Sequence, residues 1–157
     1  MSTPHISSVM EVEPGWIDYN GHMNMAYYNM LFDRAADEFY GEIGIGANYA
    51  AERGFTTYLA EIHIRYLREL HLGNKVTVKS WILDHDAKRY HGWQEVWHED
   101  GWCAASAEVL SLHIDMSGPK VAPMPEDIAA RMADFARRHG RSDLPEGAGG
   151  RIGLRKG

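Results

Sequence analysis

Seven consecutive residues, Asp18-Tyr19-Asn20-Gly21-His22-Met23-Asn24, place a carboxylate, two amides and an imidazole in one short polar stretch. They stand just ahead of a long apolar periodicity, and Asn24 is a residue type suited to capping the helix that follows. A chain that turns into a helix points unpaired backbone N–H groups at whatever lies in front of it. Such donors suit the oxyanion that develops on a carbonyl under attack. A carboxylate beside them can act as the nucleophile or as a base for water. Turns and caps favour Asp and Asn on their own account, so the stretch alone leaves a catalytic and a structural reading of Asp18, Asn20 and Asn24 open.

Other chemistries find less support. Of the nine histidines, His63, His71, His85, His91, His98 and His113 are scattered over strand-like segments and turns without a His-x-x-x-His pair, and Cys103 is the single cysteine. No metal site is expected from that set. There is no G-x-S-x-G elbow and no phosphate-loop glycine pattern, so neither a serine hydrolase nor a nucleotide-binding protein is indicated, and no cofactor is called for.

The elements that must position the polar stretch are legible. Residues 8–17 read as a first strand running into Pro14-Gly15. A helix over Met25–Ile43 carries two apolar rows, Tyr27, Leu31, Ala35, Phe39 and Tyr28, Phe32, Ala36, Tyr40, a face wide enough to pack on a large sheet; Gly44 and Gly46 stop it. From Tyr58 to Leu67 apolar and polar residues alternate for about ten positions, a strand signature. Residues 75–83, 90–97 and 102–114 are further strands joined by short turns, which pairs them antiparallel. A last amphipathic helix covers residues 126–139, and the glycine-rich tail 140–157, with Arg151, Arg155 and Lys156, is expected to be flexible. The reading is one α+β domain over residues 1–139, a long helix against an antiparallel sheet.

At 157 residues, with 45% apolar and 24% charged side chains, the chain fits one globular domain. Its net charge of -6 offers no general attraction to nucleic acid. The first residues have neither a basic start nor an apolar run, and no stretch approaches the roughly 20 apolar residues of a membrane helix. One cysteine and no possible intramolecular disulfide fit a cytoplasmic protein.

The string from Trp16 to Asn24 resembles the signature of the 4-hydroxybenzoyl-CoA thioesterase family of the hotdog superfamily, in which an Asp and then Gly-His-Val-Asn-Asn precede the central helix. The resemblance runs over residues 8–122, and the spacing of Asp18, Asn20 and His22 is also similar to plant acyl-ACP thioesterases. Met23 and Met25 replace the usual valine and second asparagine, and neither change removes a catalytic group. The resemblance implies a hotdog fold, a long helix wrapped by a curved sheet of five or six strands. It implies that Asp18 attacks an acyl-CoA thioester or activates water, that N–H groups from Met25 to Tyr27 hold the carbonyl oxygen, and that Asn20 and His22 orient Asp18 or the water. It further implies a homodimer or homotetramer with sites between subunits. Glu61 and His63, on one strand face, are then candidates for support from that strand. Arg65, Arg68, Lys88 and Arg89 become candidates for the CoA phosphates, although charged strand faces are often merely solvated.

Aromatic residues bear on the acyl group. Trp16, Tyr19, Tyr27, Tyr28, Trp81 and Trp93 lie on elements near the expected pocket, as core packing or as rings around a quaternary ammonium. The polar stretch, residues 57–63 and Asp86-Ala87-Lys88-Arg89 together resemble thioesterases of carnitine breakdown, which implies betainyl-CoA as substrate. An acyl-CoA-binding hotdog protein without activity and a hotdog hydratase or dehydratase are the alternatives.

Overall fold

The computed structural model describes residues 2–141 and 143–154. Two short strands, β1 (His5–Ile6) and β2 (Met10–Glu11), open the chain, and a 3-10 turn follows at Pro14–Trp16. The expected first strand over residues 8–17 is therefore mostly absent. Pro14 lacks an N–H to give to a ladder and presets the turn.

Helix α1 (Met25–Ile43) begins at Asn24, whose side chain accepts from the Ala26 N–H, and stops at Gly44 with φ 89°. Helix α2 (Ala47–Arg53) leads into strands β3 (Phe55–Tyr66), β4 (Lys75–His85), β5 (Arg89–His98), β6 (Cys103–Asp115) and β7 (Lys120–Val121), and α3 (Glu126–His139) ends the domain. The sheet runs β1-β4-β5-β6-β3, with β2 also on β4 and β7 also on β6. All pairings are antiparallel. It counts seven strands, four long ones and three of two residues too short for a sequence pattern: β1 and β2 pair along β4, and β7 pairs with β6 beyond the end of β5. Irregularities at Leu59/Glu61, Ile82/Asp84 and Val96/Trp97 bend the long strands.

The apolar rows of α1 meet the sheet as their spacing predicts. Tyr28, Leu31, Phe32, Ala35, Phe39 and Ile43 are buried. Toward one end they pack with Val76, Val78, Val96 and Ala105, and toward the other with Ile82, Val109 and the α3 residues Ile128 and Met132. The segment after α3 lies against the other side of the sheet: Arg141 stacks over buried Trp81, and the Gly149 N–H donates to Glu108 at 2.7 Å. Of the tail's basic residues, Arg155 and Lys156 lie outside the described residues.

His139 makes the α3–sheet contact pH-sensitive. Its buried Nδ1 accepts from the Ile82 N–H at 2.8 Å, past the point where β1 stops pairing with β4. Burial, helped by Arg138 and His5 and opposed by Glu42, lowers its pKa to about 4. The unfolded chain binds this proton at about pH 6.5, so this stabilisation is complete above that pH and is lost as pH falls toward 4. We expect the melting temperature to drop over this window. In His139→Asn, which keeps an acceptor but cannot titrate, the drop should be smaller. Parallel pH–Tm curves for the two proteins would remove His139 as the cause.

Candidate active site

A two-stranded loop presents the polar stretch. Ile17 bridges Met23, the Asp18 N–H donates to His22 O at 3.1 Å, and Gly21, at φ 82°, closes the turn by donating to Asp18 O at 3.0 Å. A left-handed φ explains the glycine there. Met23 is 1% exposed, and its N–H donates to Leu70 O at 2.8 Å, so the methionine replacing valine works as an apolar anchor that pins the loop to the core.

Asp18 is half-buried and held by its neighbours. Its Oδ1 accepts from the Asn20 N–H at 2.8 Å, and its Oδ2 lies 3.5 Å from Asn24 Nδ2. Asn24 thus works at both ends of its amide, since its Oδ1 takes the Ala26 N–H at 3.0 Å. The Tyr27 N–H donates to Asn24 O at 3.1 Å. Of the three N–H groups expected to hold a carbonyl oxygen, those of Ala26 and Tyr27 are therefore already used. The Met25 N–H meets no acceptor among the described residues, and it stands at the positive end of α1.

These groups border a cleft of about 410 Å³, whose walls include Asp18, His22, Met25, Tyr66, Arg68 and Glu69. Tyr28 builds the floor: its hydroxyl donates to Arg68 O at 3.3 Å and accepts from the Leu70 N–H at 3.2 Å. Burial raises its pKa, which keeps it a neutral donor. The Tyr66 ring meets Tyr28 edge-on at 5.1 Å, and Glu69 lies 3.8 Å from both His22 and His71. Arg68 rests over Trp102 at 4.1 Å.

Asp18, Asn20, His22 and Met25 line this one cleft, with Tyr19, 98% exposed, on its rim. Other expected residues stand apart from it. Trp16 is buried, stacked on Tyr27 at 5.4 Å and covered by Arg34, so neither of the facing rings is free. Trp81 and Trp93 are likewise buried. On β3, Leu59 and Ile62 both face the cavity under the strand because of the irregularity between Leu59 and Glu61. Glu61, His63 and Arg65 alternate with Ile62 and Ile64, which pack on the core, and do not line the Asp18 cleft. Lys88 and Arg89 lie at the far end of the sheet, and Arg89 is paired with Asp86 at 2.6 Å. Arg89 opposes Leu112 on β6, whereas Tyr66 opposes Ala105, a separation of about 23 Å at the usual rise per residue. Tyr66 and Glu69 escaped the sequence reading. The continuing row Ile62, Ile64, Tyr66 pointed to the first, and nothing comparable pointed to Glu69.

Comparison with known proteins places the chain. The thioesterase-like superfamily pattern matches residues 12–132. A betainyl-CoA thioesterase of Pseudomonas aeruginosa is 34% identical over 144 residues, 91% of each chain. An L-carnitine dehydrogenase/betainyl-CoA thioesterase of Rhizobium meliloti is 34% identical over 93% of this chain, which spans only 29% of that longer protein. A Staphylococcus aureus protein solved in complex with CoA superimposes with a TM-score of 0.91 at 28% identity, over 99% of this chain and 98% of its own.

Proposed function

The chain belongs to the thioesterase-like superfamily, and from that premise we propose that the Asp18 cleft hydrolyses an acyl-CoA whose acyl group is betainyl. The protein is an acyl-CoA thioesterase of the hotdog fold, a thioester hydrolase. One observation carries the assignment of the site: a carboxylate and an unused helix N-terminal N–H, Asp18 and Met25, border the same cleft. The thioester carbonyl oxygen accepts from the Met25 N–H, where the helix terminus favours growing negative charge. Asp18 then either attacks the carbonyl carbon or takes a proton from the water that does. Both routes need the ionised carboxylate, and both end with the C–S bond broken and the acyl group a free acid. Asn24 orients Asp18, His22 and Glu69 border the departing thiol, and Arg68 is the cation placed to meet CoA phosphate.

The betainyl assignment is supported by the names of the relatives and by the half-exposed Tyr66 ring in the cleft. A homodimer is supported by β3, a twelve-residue strand at the sheet edge with Tyr58 and Leu59 about half exposed, which a second copy would cover. No helix among the described residues is long and apolar enough to cross a membrane, and we place the protein in the cytoplasm.

The test compares thiol release from betainyl-CoA and from its neutral isostere, 3,3-dimethylbutanoyl-CoA. Ring and carboxylate contacts to a partly desolvated cation are worth about 1–3 kcal/mol together, so kcat/KM should favour the betainyl substrate by about 10- to 100-fold. Equal values would refute the betainyl assignment. Release from neither, nor from other short acyl-CoAs, would leave a binding protein.

A further inference from the structure

The turn between β5 and β6 sets three side chains against one another. The Gly101 N–H donates to His98 O and the His98 N–H to Trp102 O, both at 2.9 Å, and Gly101 takes φ 86°. The closed turn lays the His98 ring flat on the Trp102 indole, with centroids 4.3 Å apart and planes 8° from parallel. His98 is buried, and its Nδ1 accepts from the Asp100 N–H at 3.0 Å, so the indole rests on a fixed ring. Trp102 itself is partly buried and packs against the core. The Arg68 guanidinium lies over the same indole at 4.1 Å.

Arg68 also borders the Asp18 cleft. Its backbone N–H donates to Ala104 O at 3.0 Å, and its carbonyl oxygen accepts from the Tyr28 hydroxyl of the cleft floor at 3.3 Å. The backbone is therefore held on both sides, and the indole holds the side chain. No carboxylate competes for it. Arg34, Arg53, Arg89, Arg137 and Arg138 each meet an acidic side chain, whereas among the described residues Arg68 forms no ion pair. The adjacent Glu69 lies instead 3.8 Å from both His22 and His71. A guanidinium resting on a ring uses only its face. Its N–H groups point outward in the plane and remain available to two oxygens of one phosphate. An arginine ordered beforehand also loses less freedom when that phosphate arrives.

We propose that Trp102 is a positioning residue for acyl-CoA binding: backed by His98, it holds Arg68 at the border of the Asp18 cleft with the guanidinium edge free for a phosphate of CoA. The inference rests on the reading above in which Arg68 meets that phosphate, and adds to it what keeps the cation in place.

The experiment measures the Kd for CoA by calorimetry in the full chain, in Arg68→Gln, in Trp102→Leu and in the double variant, at low and at physiological salt. Arg68→Gln should weaken binding about 10-fold or more and flatten the loss of affinity that salt causes in the parent. Trp102→Leu should weaken it about 3- to 10-fold in the parent. It should change nothing further once Arg68 is gone, because a residue that acts only through Arg68 has no effect without it. Trp102→Phe, which keeps a ring but a weaker one, should fall between, and it serves the same cycle should the leucine variant not fold. A parent that does not bind CoA, or an Arg68→Gln variant that binds as tightly as the parent, overturns the phosphate role of Arg68 and this inference with it. A loss from Trp102→Leu that is as large without Arg68 as with it overturns this inference alone and leaves Trp102 as packing.

Discussion

Asp18→Asn should yield a protein that folds and melts like the parent but turns over acyl-CoA two to four orders of magnitude more slowly. The magnitude is that of losing an essential base or nucleophile. The structural side is mild for a stated reason. Asp18 is half-buried in a loop, and its one short contact is the Asn20 N–H at 2.8 Å on Oδ1, which an amide oxygen can accept as well. What asparagine cannot supply is the negative charge that either attacks the carbonyl or takes a proton from water. Thiol release under saturating substrate, with circular dichroism to verify the fold, decides the matter. Turnover within a few-fold of the parent would remove Asp18 from the chemistry and leave the cleft as a binding site.

The parts of the fold that sequence made legible are those fixed by periodicity. The paired apolar rows of α1 named its buried face, and the glycine at position 44 ended the helix where the left-handed φ is found. What escaped was set by tertiary partners. The two-residue strands β1, β2 and β7 exist only because β4 and β6 offer edges to them. The irregularity between Leu59 and Glu61 changes which β3 side chains face α1, and no propensity announces it.

The site shows the same division. Asp18, Asn20, His22 and Met25 are close in sequence, and local turn chemistry brings them to one cleft. Trp16, Trp81 and Trp93 were attractive as a cage because rings bind cations. In the folded chain all three are buried, with Trp16 stacked on Tyr27 and Trp81 covered by Arg141. Tyr66 comes from β3, far along the chain, and meets Tyr28 only once α1 lies on the sheet.

Asn24 offers the sharpest remaining test, because its two functions can be separated by substitution. Asn24→Asp keeps an N-cap of equal quality, and a carboxylate there also suits the positive end of α1. The cap should therefore survive, while the new charge pair costs about 2–3 kcal/mol near neutral pH, a cost that fades in acid. The other oxygen of that carboxylate replaces the Nδ2 that lies 3.5 Å from Asp18 Oδ2, turning a donor into a second negative charge. Two carboxylates at that distance cannot both ionise easily, and one of them is driven strongly upward. The acid limb of the kcat/KM profile should then move up by about 2 pH units, a loss of about 100-fold at pH values below the shifted limb that is recovered in more alkaline buffer. Asn24→Ala provides the contrast. It loses the cap, about 1 kcal/mol of stability, and adds no charge, so its limb should stay in place while its melting point falls. A pH–rate profile measured across both variants separates the cases. An unshifted limb in Asn24→Asp would mean that the ionised form of Asp18 does not govern the reaction, whatever its distance from the thioester.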